Sequence, residues 1–331
     1  MTLLLAAIGG CVPSSDGDVV AYVALDREFA RPILAGFTRG TEANVKVNAK
    51  YDIESTKTVG LVSDIIAEAD QPIADVFWNN EVLHTIRLQK AGLLQSRRWD
   101  VPASYPRDMM ASDGTWCGFA ARARVLIINS DILPDPKTWP RSVEDLADER
   151  WAGRCGMARP LFGTTATHFA VIAAERGLDD AEKFLDRIVE NATILPGNKQ
   201  VAISVSAGQL AWGLTDTDDA IIEKDQKYPV AIVFPDQQSG QEGAMRIPNT
   251  VMVLKNAPHP RSAAALCDYL VTPAIEDRLA MGDSSQIPLH REAKFPPRVL
   301  PPESVRWKKV DFEKAADTWD PWVKRIADKF E

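Results

Sequence analysis

Ala74-Asp75-Val76-Phe77-Trp78-Asn79-Asn80-Glu81 is the stretch on which the fold turns. Its apolar middle is short, aromatic and β-branched, which predicts a buried strand rather than a helix. The run breaks into two amides and a carboxylate, and Glu81 to Lys90 then reads as a helix. A strand that feeds a helix through a polar corner is the building unit of a parallel α/β sheet. Ligands of such sheets bind beyond the carboxyl ends of the strands. Trp78, Asn79, Asn80 and Glu81 are therefore candidate ligand-binding residues, against the simpler reading of an Asn-rich turn.

The same alternation runs outward in both directions. Val19 to Ala24 reads as a buried strand, followed by a helix from Asp26 through Phe37. Val45 to Ala49 reads as a second strand. Ser55 or Thr56 caps the next helix, whose Val59, Val62, Ile65 and Ile66 recur at helical spacing. Later strands are predicted at Val125–Ile128, Val230–Phe234 and Val251–Leu254. Helices are predicted at Gly163–Ala174, Asp180–Glu190, Lys199–Ala207 and Pro260–Val271. Val310 to Glu331 carries apolar residues at helical spacing and suits a helix packed back on the body.

Two polar clusters fall at predicted helix starts. Thr215-Asp216-Thr217-Asp218-Asp219 crowds three carboxylates together. It is no EF-hand: the fifth, sixth and twelfth positions from Asp216 are Ala220, Ile221 and Lys227. It is either an acid-decorated helix N-terminus or a ligand site. Three like charges side by side cost free energy unless something offsets them. Gly163, Thr164 and Thr165 offer N–H groups and hydroxyls to an anion at another helix start, or simply cap it.

Composition narrows the classes. The chain has 331 residues, 45% hydrophobic and 25% charged, which suits two lobes of ordinary domain size. Net charge is -8 with the signs interleaved, so nucleic acid is not an expected partner. There is no G-x-G-x-x-G, P-loop, H-E-x-x-H or G-x-S-x-G arrangement, and no enzyme is expected. The four cysteines form no C-x-x-C pair, and Cys117, Cys155 and Cys267 read as buried thiols. Leu3 to Gly10 followed by Cys11 resembles a bacterial lipobox. Cys11 is thus a candidate lipidation site, with residues 1–18 as signal and tether.

Ala21-Tyr22 through Glu28, the stretch from Ala74 to Glu81, Gly208 through Ala220, and Asn249 to Lys255 together resemble the ferric-ion-binding proteins of ABC importers. These are class II periplasmic solute-binding proteins, and the likeness runs from Val19 to Leu289. The implied fold is α/β and two-lobed, each lobe a mainly parallel sheet flanked by helices, joined by crossing strands. Lobe 1 is expected at 19–122 plus 248–283, and lobe 2 at 123–247 plus 284–331.

The family's iron site takes a histidine, a glutamate and two adjacent tyrosines. The histidine position falls near Asp26, the glutamate at Asn80 or Glu81, and the tyrosine pair near Asp218 and Asp219. The resemblance therefore implies a metal set of Asp26, Glu81, Asp218 and Asp219, with no tyrosine pair. Fe(III) or another hard cation is the implied ligand, with no catalytic cofactor. An anion at Thr164 and Thr165 is expected to complete the shell. Gly163, Thr164, Thr165 and Asp216 join the ligand-binding set. The alternative is a small organic cation or zwitterion such as thiamine, an aminophosphonate or a polyamine, covered by Trp78, Phe162 or Trp212. The implied receptor is monomeric, works in the periplasm or on the outer face of the membrane, closes by a hinge, and delivers to a permease and ATPase.

Overall fold

The structure is a computed structural model; it describes residues 16–40, 45–52, 58–300 and 304–330. Cys11, Ser55 and Thr56 lie outside the described residues.

The first lobe opens with β1 (Val19–Val23), α1 (Arg27–Gly40), β2 (Val47–Tyr51), α2 (Val59–Ala67), β3 (Val76–Asn79) and α3 (Leu83–Lys90). β1 pairs in parallel with β2 and with β3, as strand–helix alternation requires. The helix expected after Ser55 or Thr56 begins at Val59, with Thr58 at its N-cap. It buries Leu61, Val62 and Ile65 but leaves Ile66 exposed.

β4 (Cys117–Asn129) then leaves the first lobe for the second. Its start pairs with β9 (Arg246–Val253), and its end with β7 (Trp212–Asp216) and β8 (Val230–Val233), antiparallel in each case. All 13 residues of β4 are buried. The second lobe adds β5 (Cys155–Ala158), α4 (Gly163–Arg176), α5 (Leu178–Asn191), β6 (Thr193–Leu195), α6 (Asn198–Ser206) and α7 (Thr217–Asp225). β5 pairs in parallel with β6 and β7. Among the described residues the strands form one sheet, ordered β2-β1-β3-β9-β4-β7-β5-β6, with β8 branching from β4. Each lobe thus has a parallel core, and the crossing strands β4 and β9 are antiparallel.

The crossover is irregular at one place. The β4–β9 register shifts between Phe119 and Arg122, and Ala120 between them has φ 41. A non-glycine residue in the left-handed region is strained and must be held there. Two side chains do so: the buried Glu276 carboxylate accepts from the Ala120 N–H at 2.7 Å, and the Asn249 amide donates to the Ala120 carbonyl. Gly118, two residues earlier, has the Met109 carbonyl oxygen 2.5 Å from where a Cβ would sit, so only glycine fits.

α8 (Pro260–Leu270) and α9 (Pro273–Met281) return to the first lobe. Residues 284–290 follow them and pack on β4, β9 and α9. Ile287 bridges Ala121, Gln286 accepts from Asn249, and the His290 N–H bonds Glu276. The last helix, α10 (Phe312–Ile326), buries Phe312, Ala315, Ala316, Trp319, Trp322 and Ile326. Its apolar stripe packs on α4 and α3. Each large side chain buried this way contributes about 1.5–3 kcal/mol.

Candidate functional site

The carboxyl ends of strands from both lobes converge on one pocket. β1 runs out into Asp26, β3 into Asn80, β6 into Asn198, and β7 into Asp216, Asp218 and Asp219; all six line it. The first turn of α4 adds Gly163 and Thr164, with Phe162 before it. Gly163 has φ 55, a turn into the helix that a side chain would disfavour. Arg122, from the crossing strand, lines the pocket between the lobes. The cavity measures ≈ 30 Å³, room for one or two water-sized bodies.

Two arginines of β4 face the acids, each in a different way. Arg124 is fully buried, and its Nη1 donates to Asp216 Oδ1 at 2.7 Å, Asn198 Oδ1 at 3.1 Å and Thr164 Oγ1 at 3.2 Å. Its Nη2 donates to Thr165 Oγ1 at 3.2 Å. Asp216 in turn accepts from the Thr164 hydroxyl and from Asn198 Nδ2. That network is saturated on the carboxylate side. Arg122 is held more loosely: Nη2 donates to Asn249 Oδ1 at 3.3 Å, and Nε lies 3.4 Å from Asp218 Oδ2 without a hydrogen bond. Burial pushes the Arg122 guanidinium towards losing its proton. The carboxylates of Asp218, Asp216, Asp219 and Asp26 outweigh it, so its pKa is raised overall.

Asp216, Asp218 and Asp219 each present an oxygen within 4.8 Å of the others, the one such group of possible metal ligands among the described residues. Their position on the first turn of α7 is favoured by the helix dipole. The acid-decorated helix start and the pocket are thus the same feature.

Four predicted site residues, Trp78, Asn79, Glu81 and Thr165, do not line the pocket. The Glu81 carboxylate accepts from Asn79 Nδ2 at 2.8 Å, from the N–H groups of Leu83 and His84, and from the Thr167 hydroxyl at 2.8 Å. It caps α3 and ties it to α4, leaving no oxygen for a cation. Burial raises its pKa, and those hydrogen bonds oppose the rise. Of the pair Asn80 or Glu81, Asn80 faces the pocket. Asn79 is spent on Glu81 and Thr85. Trp78 sits inside the first lobe against Phe119, ring centroids 5.3 Å apart. Trp212, offered as a cover for an organic ligand, is likewise core, edge-on to Trp151. Thr165 lies just behind the pocket wall, bonded to Arg124 and Asn198. Arg122, Arg124 and Asn198 escaped the sequence reading. The alternation Ala121-Arg122-Ala123-Arg124 is a strand pattern that would have placed both guanidinium groups on one face.

The family model described as "Bacterial extracellular solute-binding protein" matches residues 64–315. The chain belongs to that family. Iron uptake protein A2 of Synechocystis sp. is 27% identical over 247 residues, covering 68% of this chain and 67% of that protein. The Fe(3+)-binding periplasmic protein of Serratia marcescens is 26% identical over 211 residues, covering 64% and 60%. The chain therefore spans about 60% of the length of the second. Among solved structures, iron-bound HitA from Pseudomonas aeruginosa superposes with a TM-score of 0.83 at 22% identity, covering 94% of this chain and 99% of that one. The apo ferric ion-binding protein A of Pasteurella haemolytica gives 0.81 at 19% identity, with 94% and 97% coverage. At such identity these likenesses carry the fold. This solute-binding family is one of receptors rather than enzymes. Among the described residues no helix is long and apolar enough to cross a membrane.

Proposed function

We propose that the protein is the extracytoplasmic receptor of an ABC importer and captures ferric iron, or a comparably hard cation, between its lobes. The observation that carries this is the meeting of Asp26 from one lobe with Asp218 and Asp219 from the other around a cavity of ≈ 30 Å³. Carboxylate oxygens are the donors hard cations prefer. Asp216 is committed to Arg124 and holds the corner rather than the ion. Asn80 lines the same pocket, with its Oδ1 accepting from Thr58 Oγ1 at 2.9 Å, and the N–H groups at the start of α4 take an accompanying anion. The printed names of the relatives, an iron uptake protein and an Fe(3+)-binding protein, agree with such cargo.

A ligand touching both lobes stabilises the closed state by its contacts with each. The closed form then docks on the permease, whose ATPase supplies the work. The receptor acts as a monomer in the periplasm or on the outer face of the membrane, anchored through Cys11. The test is equilibrium binding of Fe(III) presented as its nitrilotriacetate complex. Wild-type protein takes up one ion per chain; the Asp218→Ala/Asp219→Ala double variant loses at least about 100-fold in affinity, roughly two charged ligands' worth. Unchanged uptake by that folded variant would overturn the assignment.

A further inference from the structure

We infer that Arg122 is a built-in counter-cation that sets how much positive charge the cleft accepts. The inference rests on reading the cleft as a hard-cation site. Arg122 is 2% exposed, yet it lines the pocket with Asp26, Asp218 and Asp219. It comes from neither acidic segment but from the strand that joins the lobes. Its Nε faces Asp218 Oδ2 at 3.4 Å without a hydrogen bond, and its guanidinium lines the pocket where that of Arg124 does not. Arg124, two residues on, has its own aspartate and cancels it. Around the pocket, Asp26, Asp218 and Asp219 then stand against Arg122 and Arg159.

The consequence follows from Coulomb's law. A fixed positive charge beside the site repels a bound cation in proportion to the cation's charge. Arg122 thus weakens binding of a trivalent ion more than that of a divalent ion of the same size. It also relieves repulsion among the acids when no cation neutralises them. A purely structural arginine would show neither dependence on the cargo's charge nor a gain in affinity on its removal.

The test uses two ions of similar radius and different charge, Ca(II) and Tb(III), titrated separately into the full chain and followed by calorimetry and terbium luminescence. Arg122→Gln is expected to bind Ca(II) about tenfold more tightly and Tb(III) about thirtyfold more tightly than wild type, the logarithms standing as two to three. Arg122→Lys, which keeps the charge and loses the planar fork, stays within about threefold of wild type for both ions. A folded Arg122→Gln with no gain, or with the same gain for both ions, overturns the inference and leaves the cation site standing. Wild-type protein that takes up Fe(III), Ca(II) and Tb(III) not at all overturns both together. Should the glutamine variant fail to fold, Arg122→Lys decides in its place: retained affinities support the inference, and a gain overturns it.

Discussion

Arg122 and Arg124 stand two residues apart on one face of β4, and each meets an aspartate from the corner between β7 and α7. Around Arg124 every oxygen of Asp216 is occupied, by a guanidinium, a threonine hydroxyl and an amide. Around Arg122 the partner lies at 3.4 Å and the pocket opens beside it. The chemistry of the two pairs is the same, and their place separates them: the Arg124 guanidinium is hydrogen-bonded to its aspartate behind the pocket, whereas Arg122 and Asp218 both line it.

The sharpest way to break this comparison is to delete one partner from each pair. Arg124→Met should cost about 3–5 kcal/mol, because it leaves Asp216 buried without its counter-charge. Urea unfolding would show it, and a loss below about 1 kcal/mol would mean that the network is not the structural one. Asp218→Asn should cost no more than about 2 kcal/mol, since its pair is looser and pocket-facing. The same change should lower Tb(III) affinity by about tenfold or more.

Acid probes the saturated side. His168 is held well below its usual range by burial first, and then by Arg124, Lys308 and Arg176. His84, beneath α10, is pushed down to about 3 by burial and by Arg87. Both stay neutral in the folded chain while the unfolded chain protonates near pH 6.5. The folded state thus binds fewer protons, and stability is lost as pH falls below that point. The loss is about 1.4 kcal/mol per pH unit for each histidine. Urea midpoints at pH 7, 6 and 5 should follow this slope, and His168→Gln should remove about half of it. The smallest effect is expected at the exposed Lys199–Glu28 pair between α6 and α1. Lys199→Ala should change stability by less than about 1 kcal/mol.

The parts of the fold that follow period and length were legible. Val76 to Asn79 and the helix after it stand where the apolar run and its polar corner put them. The Asp216–Asp219 cluster was legible as a helix start, because acids in a first turn suit the helix dipole. β4 was half visible. Its apolar end, Val125–Ile128, reads as a strand, while Gly118, Ala120, Ala121 and the two arginines conceal the beginning. Those residues are small or charged because they form a waist and the back of a site, so the ordinary strand signal fades where function begins. Glu81 misled for a local reason. A carboxylate at a strand's end looks the same in sequence whether it meets a ligand or the N–H groups of the next helix, and only Leu83 and His84 decide between them.

α10 touches both lobes, and it does so in two manners. Its aromatic stripe is dry, whereas its flanks are pinned by ions: Asp320 to Arg87 and Asp317 to Lys90 on one side, Arg325 to Asp179 on the other, with Lys329, in the turn just after the helix, to Asp186. In the proposed closure, rotation of one lobe against the other is absorbed along this helix. The exposed pins can trade partners with dissolved salt at little cost, while the tryptophans cannot leave oil for water so cheaply. Brine should therefore loosen the swing of the jaws without unseating the strap that limits how far they part.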